Sequence, residues 1–95
     1  MPYVVCAKWT AKEGEEEKVW EAAQQWIGPT RQEPGNLMYI PHRDPENPRV
    51  FLVYEQYRDK AAFEEHGASD HFQSIGAGEL FGLMEERERT FYETL

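Results

Sequence analysis

The order of apolar and polar positions divides this chain into seven elements. Tyr3 to Trp9 carries β-branched Val4 and Val5 and ends at a polar turn, Thr10 to Gly14, which predicts a first strand. The period then lengthens. Val19, Ala23, Trp26 and Ile27 recur at helical spacing, behind Glu15, Glu16 and Glu17, whose charges suit a helix N-terminus. Gly28-Pro29 is expected to break or kink this helix, with room for one more turn through Arg31. Pro34-Gly35 reads as a turn and Asn36 to His42 as a second strand, and the turn formers of residues 43–48 close a hairpin. Val50 to Tyr57 is the third strand. Asp59 can cap a short helix, Lys60 to His66, and Ser69 a second helix, Asp70 to about Phe81, with Phe72, Ile75 and Leu80 inward. Leu83 to Thr94 is the last strand, and its charges from Glu85 to Arg89 suggest an exposed side or an edge.

This order, β-α-β-β-α-β, predicts an α+β, ferredoxin-like fold: one four-stranded antiparallel sheet with helices on one face. Strand three adds a second expectation. Val50, Leu52 and Tyr54 point one way, and Phe51, Val53 and Tyr57 the other, so both faces are apolar. The helices are expected on the face of Phe51, Val53 and Tyr57. An apolar sheet face left bare is not tolerated in a monomer, and the simplest cover is a second copy, sheet against sheet.

Ninety-five residues make one domain, 1–95, with a thin core that an oligomer would help. The net charge of -8, from 18 acidic and 10 basic residues, argues against nucleic acid and anionic membranes as partners. No run approaches the roughly 20 apolar residues of a membrane span. The start MPYVVCAKW lacks the marks of a signal peptide, and the single cysteine, Cys6, excludes an internal disulfide. These features fit a cytoplasmic protein.

The candidate chemistry lies in FLVYEQYRDKAAFEEHGASDHF, residues 51–72. His66 and His71 would point about 140° apart on an unbroken helix and converge only if the helix breaks at Gly67. An imidazole near its free pKa of about 6.5 can take a proton at neutral pH. Glu55 falls on the parity of Phe51, Val53 and Tyr57, so it is expected to be buried and to need a partner: a histidine, Arg31 or a tyrosine hydroxyl. Either a structural pair or the orientation of a catalytic histidine would satisfy it. Trp9, Val53, Tyr57, Phe63 and Phe72 are the expected substrate-binding residues; the four aromatic ones bracket the expected cavity and can grip a flat ring. A metal set of His66, His71 and Glu55 matches no recognised ligand spacing, and no nucleotide-binding motif is present, so neither metal nor cofactor is expected. His42 reads as a solvated loop residue.

The same stretch, with TRQEPGNLMYIPHRDPENPR upstream, resembles the antibiotic biosynthesis monooxygenase family. The shared features are a glutamate-x-aromatic end to strand three (Glu55, Tyr57) and a His-x4-His-Phe pattern (His66, His71, Phe72). The resemblance implies a dimeric α+β barrel whose pocket lies between sheet and helices. It also implies oxidation of a phenol, quinol or polyketide-like substrate by O2 without metal or flavin. In that reading His66 is the base and His71 its partner or a hydrogen-bonder to substrate, while Trp9, Tyr57 and Phe63 form the slot. Anthrone-oxidising members carry an asparagine, a tryptophan and a tyrosine where this chain has Val53, Tyr57 and Phe63. Haem-degrading relatives carry an asparagine and a histidine where it has Ala7 and roughly Gly76, which argues against haem. Members of the superfamily that isomerise a metabolite, or only bind one, supply the alternative.

Overall fold

A computed structural model describes residues 1–95. The chain runs β1 (Tyr3–Ala11), α1 (Glu16–Arg31), β2 (Asn36–Arg43), β3 (Val50–Tyr57), α2 (Lys60–Gly67), α3 (Phe72–Leu80) and β4 (Met84–Glu93), with a single 3₁₀ turn, Phe81–Leu83, before β4. The four strands form one antiparallel sheet in the order β2-β3-β1-β4. This is the ferredoxin-like arrangement, and β4 is an edge strand. No helix is long and apolar enough to cross a membrane.

Pairing fixes which side chains share a face, because directly opposed residues project together. Val5, Ala7 and Trp9 of β1 oppose Glu55, Val53 and Phe51 of β3, and Tyr39 of β2 opposes Glu55. All of these are buried beneath the helices, as are Val19, Ala22, Ala23 and Trp26 of α1. On the other parity Ile40, Leu52 and Tyr92 remain 37%, 43% and 57% exposed, so an apolar sheet face lies open. Phe51, Val53 and Tyr57 thus take the helix side that the alternation of β3 predicts, and Leu52 the opposite side.

Three boundaries depart from the sequence expectation. First, α1 passes through Gly28-Pro29 without a break. Pro29 lies in the last turn, where the missing N–H removes one backbone bond, and Gln32 closes the helix by donating to the Gly28 and Pro29 carbonyls at 3.2 and 3.3 Å. Second, β1 continues to Ala11, whose N–H bonds to the Arg49 carbonyl at 2.8 Å. Third, the helix after Ser69 is wound as a π-helix. A Cβ on Gly76 would come within 2.9 Å of Trp26 Cη2, so the bare glycine lets the wider coil settle onto the indole.

Candidate active site

Three elements converge on Glu33, in the turn between α1 and β2. The convergence depends on Gly35, two residues on. A Cβ there would lie 2.4 Å from the Ala62 Cβ, so only glycine lets this turn press against α2. Asp59 starts α2 by accepting from the Ala62 N–H at 2.9 Å. The helix ends at Gly67, and Ser69 joins it to α3: its hydroxyl donates to the His66 carbonyl at 2.6 Å and accepts from the Phe72 N–H at 3.2 Å. The break sets the two imidazoles 5.9 Å apart, centroid to centroid. Both then reach one carboxylate oxygen. His66 Nδ1 lies 2.7 Å and His71 Nε2 2.5 Å from Glu33 Oε2.

A carboxylate oxygen accepts, so each histidine donates to it. His66 therefore carries its proton on Nδ1 and leaves the Nε2 lone pair free. Burial is the main influence on His66 and lowers its pKa; Glu33 opposes that shift and the His71 charge adds to it. A neutral imidazole oriented by a carboxylate, with its far nitrogen open, is a general base in waiting.

Glu55 is the second ionisable group. It is 6% exposed, accepts from the Tyr57 hydroxyl at 2.7 Å, and places Oε1 3.9 Å from His66 Nε2. Burial raises its pKa to about 7; the Tyr57 hydrogen bond and the Arg89 charge pull it down, and the Glu33 charge pushes it up. Burial also raises the phenol pKa of Tyr57 and of Tyr39, helped by the same carboxylates, so both hydroxyls remain neutral.

His66 and Glu55 open on a cavity of about 180 Å³. Trp9, Trp26, Phe63, Phe72 and Phe81 form its aromatic walls, Ala7 and Tyr39 part of the sheet side, and Arg87 and Arg89 its polar rim. The His66 ring is stacked on Trp26 at 5.8 Å and meets Phe72 edge-on at 5.3 Å. The Trp26 indole N–H is buried without a partner.

The cavity includes His66, Glu55, Trp9, Phe63 and Phe72 of the residues picked out from sequence. Two of the proposed substrate-binding residues are placed differently. Val53 is fully buried in the sheet, and Tyr57 lies behind Glu55, which it supports by its hydroxyl, rather than on the cavity wall. His71 stands behind Glu33, away from the cavity. Arg31 does not meet Glu55; it donates to the Tyr39 carbonyl at 3.1 and 2.8 Å. The histidine pair takes Glu33, not Glu55, as its common carboxylate. Those three donors lie within 4.8 Å of one another and could hold a divalent ion, but their 2.7 and 2.5 Å hydrogen bonds are tighter than the spacing of donors each about 2.1 Å from a metal.

Sequence reading missed Glu33, Arg87 and Arg89. A signal for Glu33 was present: an acid just past a helix C-terminus opposes the helix dipole, so its place there calls for another partner.

The antibiotic biosynthesis monooxygenase model matches residues 2–77. PA3566 from Pseudomonas aeruginosa is 29% identical and superposes with a TM-score of 0.92, over 99% of this chain and 94% of that one. SO0527 from Shewanella oneidensis is 31% identical with a TM-score of 0.89, over 96% and 88%. A structure of an antibiotic biosynthesis monooxygenase, 24% identical with a TM-score of 0.89 over 100% and 99%, bears on the fold alone at that identity. An uncharacterised Synechocystis protein is 31% identical over 74 residues, 78% of this chain; the chain spans about half the length of that curated relative.

Proposed function

We propose that this chain, which belongs to the antibiotic biosynthesis monooxygenase family, oxidises a small phenol or quinol with O2, using no metal or flavin, and acts as a homodimer. The observation that carries the reading is His66: its Nδ1 is committed to Glu33, its Nε2 is left without a hydrogen bond, and the residue lines an aromatic cavity. A phenol lying against Trp26 and Phe72 gives its proton to Nε2, and Glu33 stabilises the imidazolium that forms. The phenolate passes one electron to O2, and the resulting phenoxyl and superoxide radicals combine at a ring carbon. Loss of water then leaves a quinone, so the ring C–H, the phenolic O–H and O2 become two C=O groups and H2O. The aromatic walls exclude bulk water from the radical pair. The open sheet face of Ile40, Leu52 and Tyr92 supports a second copy as its cover.

Oxygen uptake by metal-stripped protein over a panel of quinols and anthrones tests the reading. Uptake that survives chelation, and falls about 10²-fold or more in folded His66→Ala, is expected. His42→Ala should do much less, since His42 lies on the opposite sheet face, bound to the Leu52 carbonyl at 3.2 Å. Uptake unchanged in His66→Ala removes His66 from the mechanism. The 3.9 Å approach of His66 Nε2 to Glu55 Oε1 favours one second reading. Two proton-exchanging groups on one wall can move a proton within an enolisable metabolite, as an isomerase does, and turnover without O2 would select it.

A further inference from the structure

The chain has six arginines, and four have polar partners. Arg31 binds the Tyr39 carbonyl, Arg43 pairs with Glu17 at 2.9 Å, Arg49 with Glu85 at 3.2 Å and Arg58 with Asp59 at 3.6 Å. Arg87 and Arg89 make neither a hydrogen bond nor an ion pair. Their guanidinium groups lie only over aromatic rings: Arg89 5.6 Å from the Phe91 centroid, and, of rings facing the cavity, Arg87 3.7 Å from that of Phe81 and Arg89 6.0 Å from that of Phe63. Phe81 and Phe63 are cavity walls.

Lone cations are unexpected in a chain with 18 acids, and more so in a run reading Glu85-Glu86-Arg87-Glu88-Arg89. The pleat explains them. Glu86 and Glu88 pair with Thr10 and Lys8 on the open face of the sheet, whereas Arg87 and Arg89 pair with Trp9 and Ala7 on the helix face. Alternation thus carries the acids away and leaves two like charges side by side at the cavity rim. Burial, and then the Arg89 charge, lower the pKa of Arg87, the mark of a cation without an anion. The facing groups do not supply one in full: Glu55 attracts Arg89 but stays largely protonated below about 7 and hydrogen-bonds to Tyr57.

Size narrows the occupant further. A closed apolar cavity of about 150 Å³ holds benzene, and this one has about 180 Å³ with an open rim. Resting on the phenol reading above, we propose that the substrate is a one-ring phenol or quinol bearing a carboxylate, with its ring against Trp26 and Phe72, its hydroxyl toward His66 and its carboxylate on Arg87 and Arg89. The forks of two adjacent arginines suit a carboxylate and reject its ester.

Equilibrium binding read by tryptophan fluorescence in the absence of O2 tests this apart from any turnover. The probes are 2,5-dihydroxybenzoate, its methyl ester and hydroquinone. The acid should bind about tenfold or more tightly than the ester and hydroquinone. That preference should shrink as salt is raised and vanish in the R87Q/R89Q double variant. Equal binding of acid and ester by the parent protein, no binding of the acid, or a preference that survives in the folded double variant would overturn the proposal. Oxygen uptake on neutral quinols without acid preference would overturn it while sustaining the monooxygenase reading. Acid-selective binding without oxygen uptake would do the reverse.

Discussion

Replacing Glu55 by Gln should change how stability depends on pH, by an amount the site dictates. The carboxyl is buried, and its pKa rises from 4.5 to about 7 in the folded chain. Between those values the folded protein holds a proton that the unfolded chain has released. Stability therefore falls as pH rises across this interval and levels off above about 7, where the folded carboxyl is ionised as well. At about 1.36 kcal/mol per pH unit, the interval amounts to about 3 kcal/mol. Gln keeps the carbonyl oxygen that the Tyr57 hydroxyl donates to, but has no ionisation to suffer. Urea unfolding followed by tryptophan fluorescence, at pH 5 and pH 8 and one protein concentration, reads the difference. Relative to the parent, Glu55→Gln should gain about 2.5 kcal/mol on going from pH 5 to pH 8, less than the whole interval because pH 5 already lies above 4.5. His66 has the opposite sign: its lowered pKa contributes stability present above 6.5 and lost as pH falls through the folded value. It is present in both proteins and cancels in the comparison. A difference that is the same at both pH values would refute the reasoning, because it would mean that Glu55 ionises in the folded protein as it does in water.

Three further outcomes are expected. Gly35→Ala should destabilise the fold by about 1–3 kcal/mol through the clash with Ala62, and should lower activity beyond that by shifting Glu33 from the histidines; thermal melts with assays on the folded fraction check both. Glu33→Gln removes the carboxylate that holds up the His66 pKa, so the acid limb of the pH–rate profile should move to lower pH, with turnover down about 10²-fold from lost alignment; an unmoved limb would leave Glu33 a structural role only. Sedimentation should give about twice the 11.2 kDa chain mass, and a stable monomer at micromolar concentration would refute the sheet-to-sheet dimer.

What the sequence disclosed here was whatever depends on period. Alternation along β3 placed Phe51, Val53 and Tyr57 under the helices, and the breaker Gly67 with the capping Ser69 announced that His66 and His71 converge. What escaped depends on distance across the fold. Glu33 lies 33 residues before His66, and no local pattern joins them; only the missing Cβ of Gly35 brings the turn and α2 together. Val53 and Tyr57 share the parity of the cavity without reaching its wall, because a strand's alternation chooses a face and says nothing of depth along it.

The arginines of β4 were hidden for a different reason. Along the chain, Glu86, Arg87, Glu88 and Arg89 look mutually neutralising, as they would in a helix or a loop. In an extended strand, neighbours face opposite ways, so the same four residues become an acidic face and a basic one. The charge that matters to a ligand is therefore not the net -8 but the sum on one side of one strand. A cavity with two unpaired guanidinium groups at its rim and a neutral histidine at its base separates two tasks: attracting an anionic substrate and taking its phenolic proton. A lysine or arginine doing both would compete with itself, since the cation that binds the anion cannot accept a proton. Placing the cations on β4 and the base on α2, held by Glu33 from the turn before β2, lets each act at the same pH.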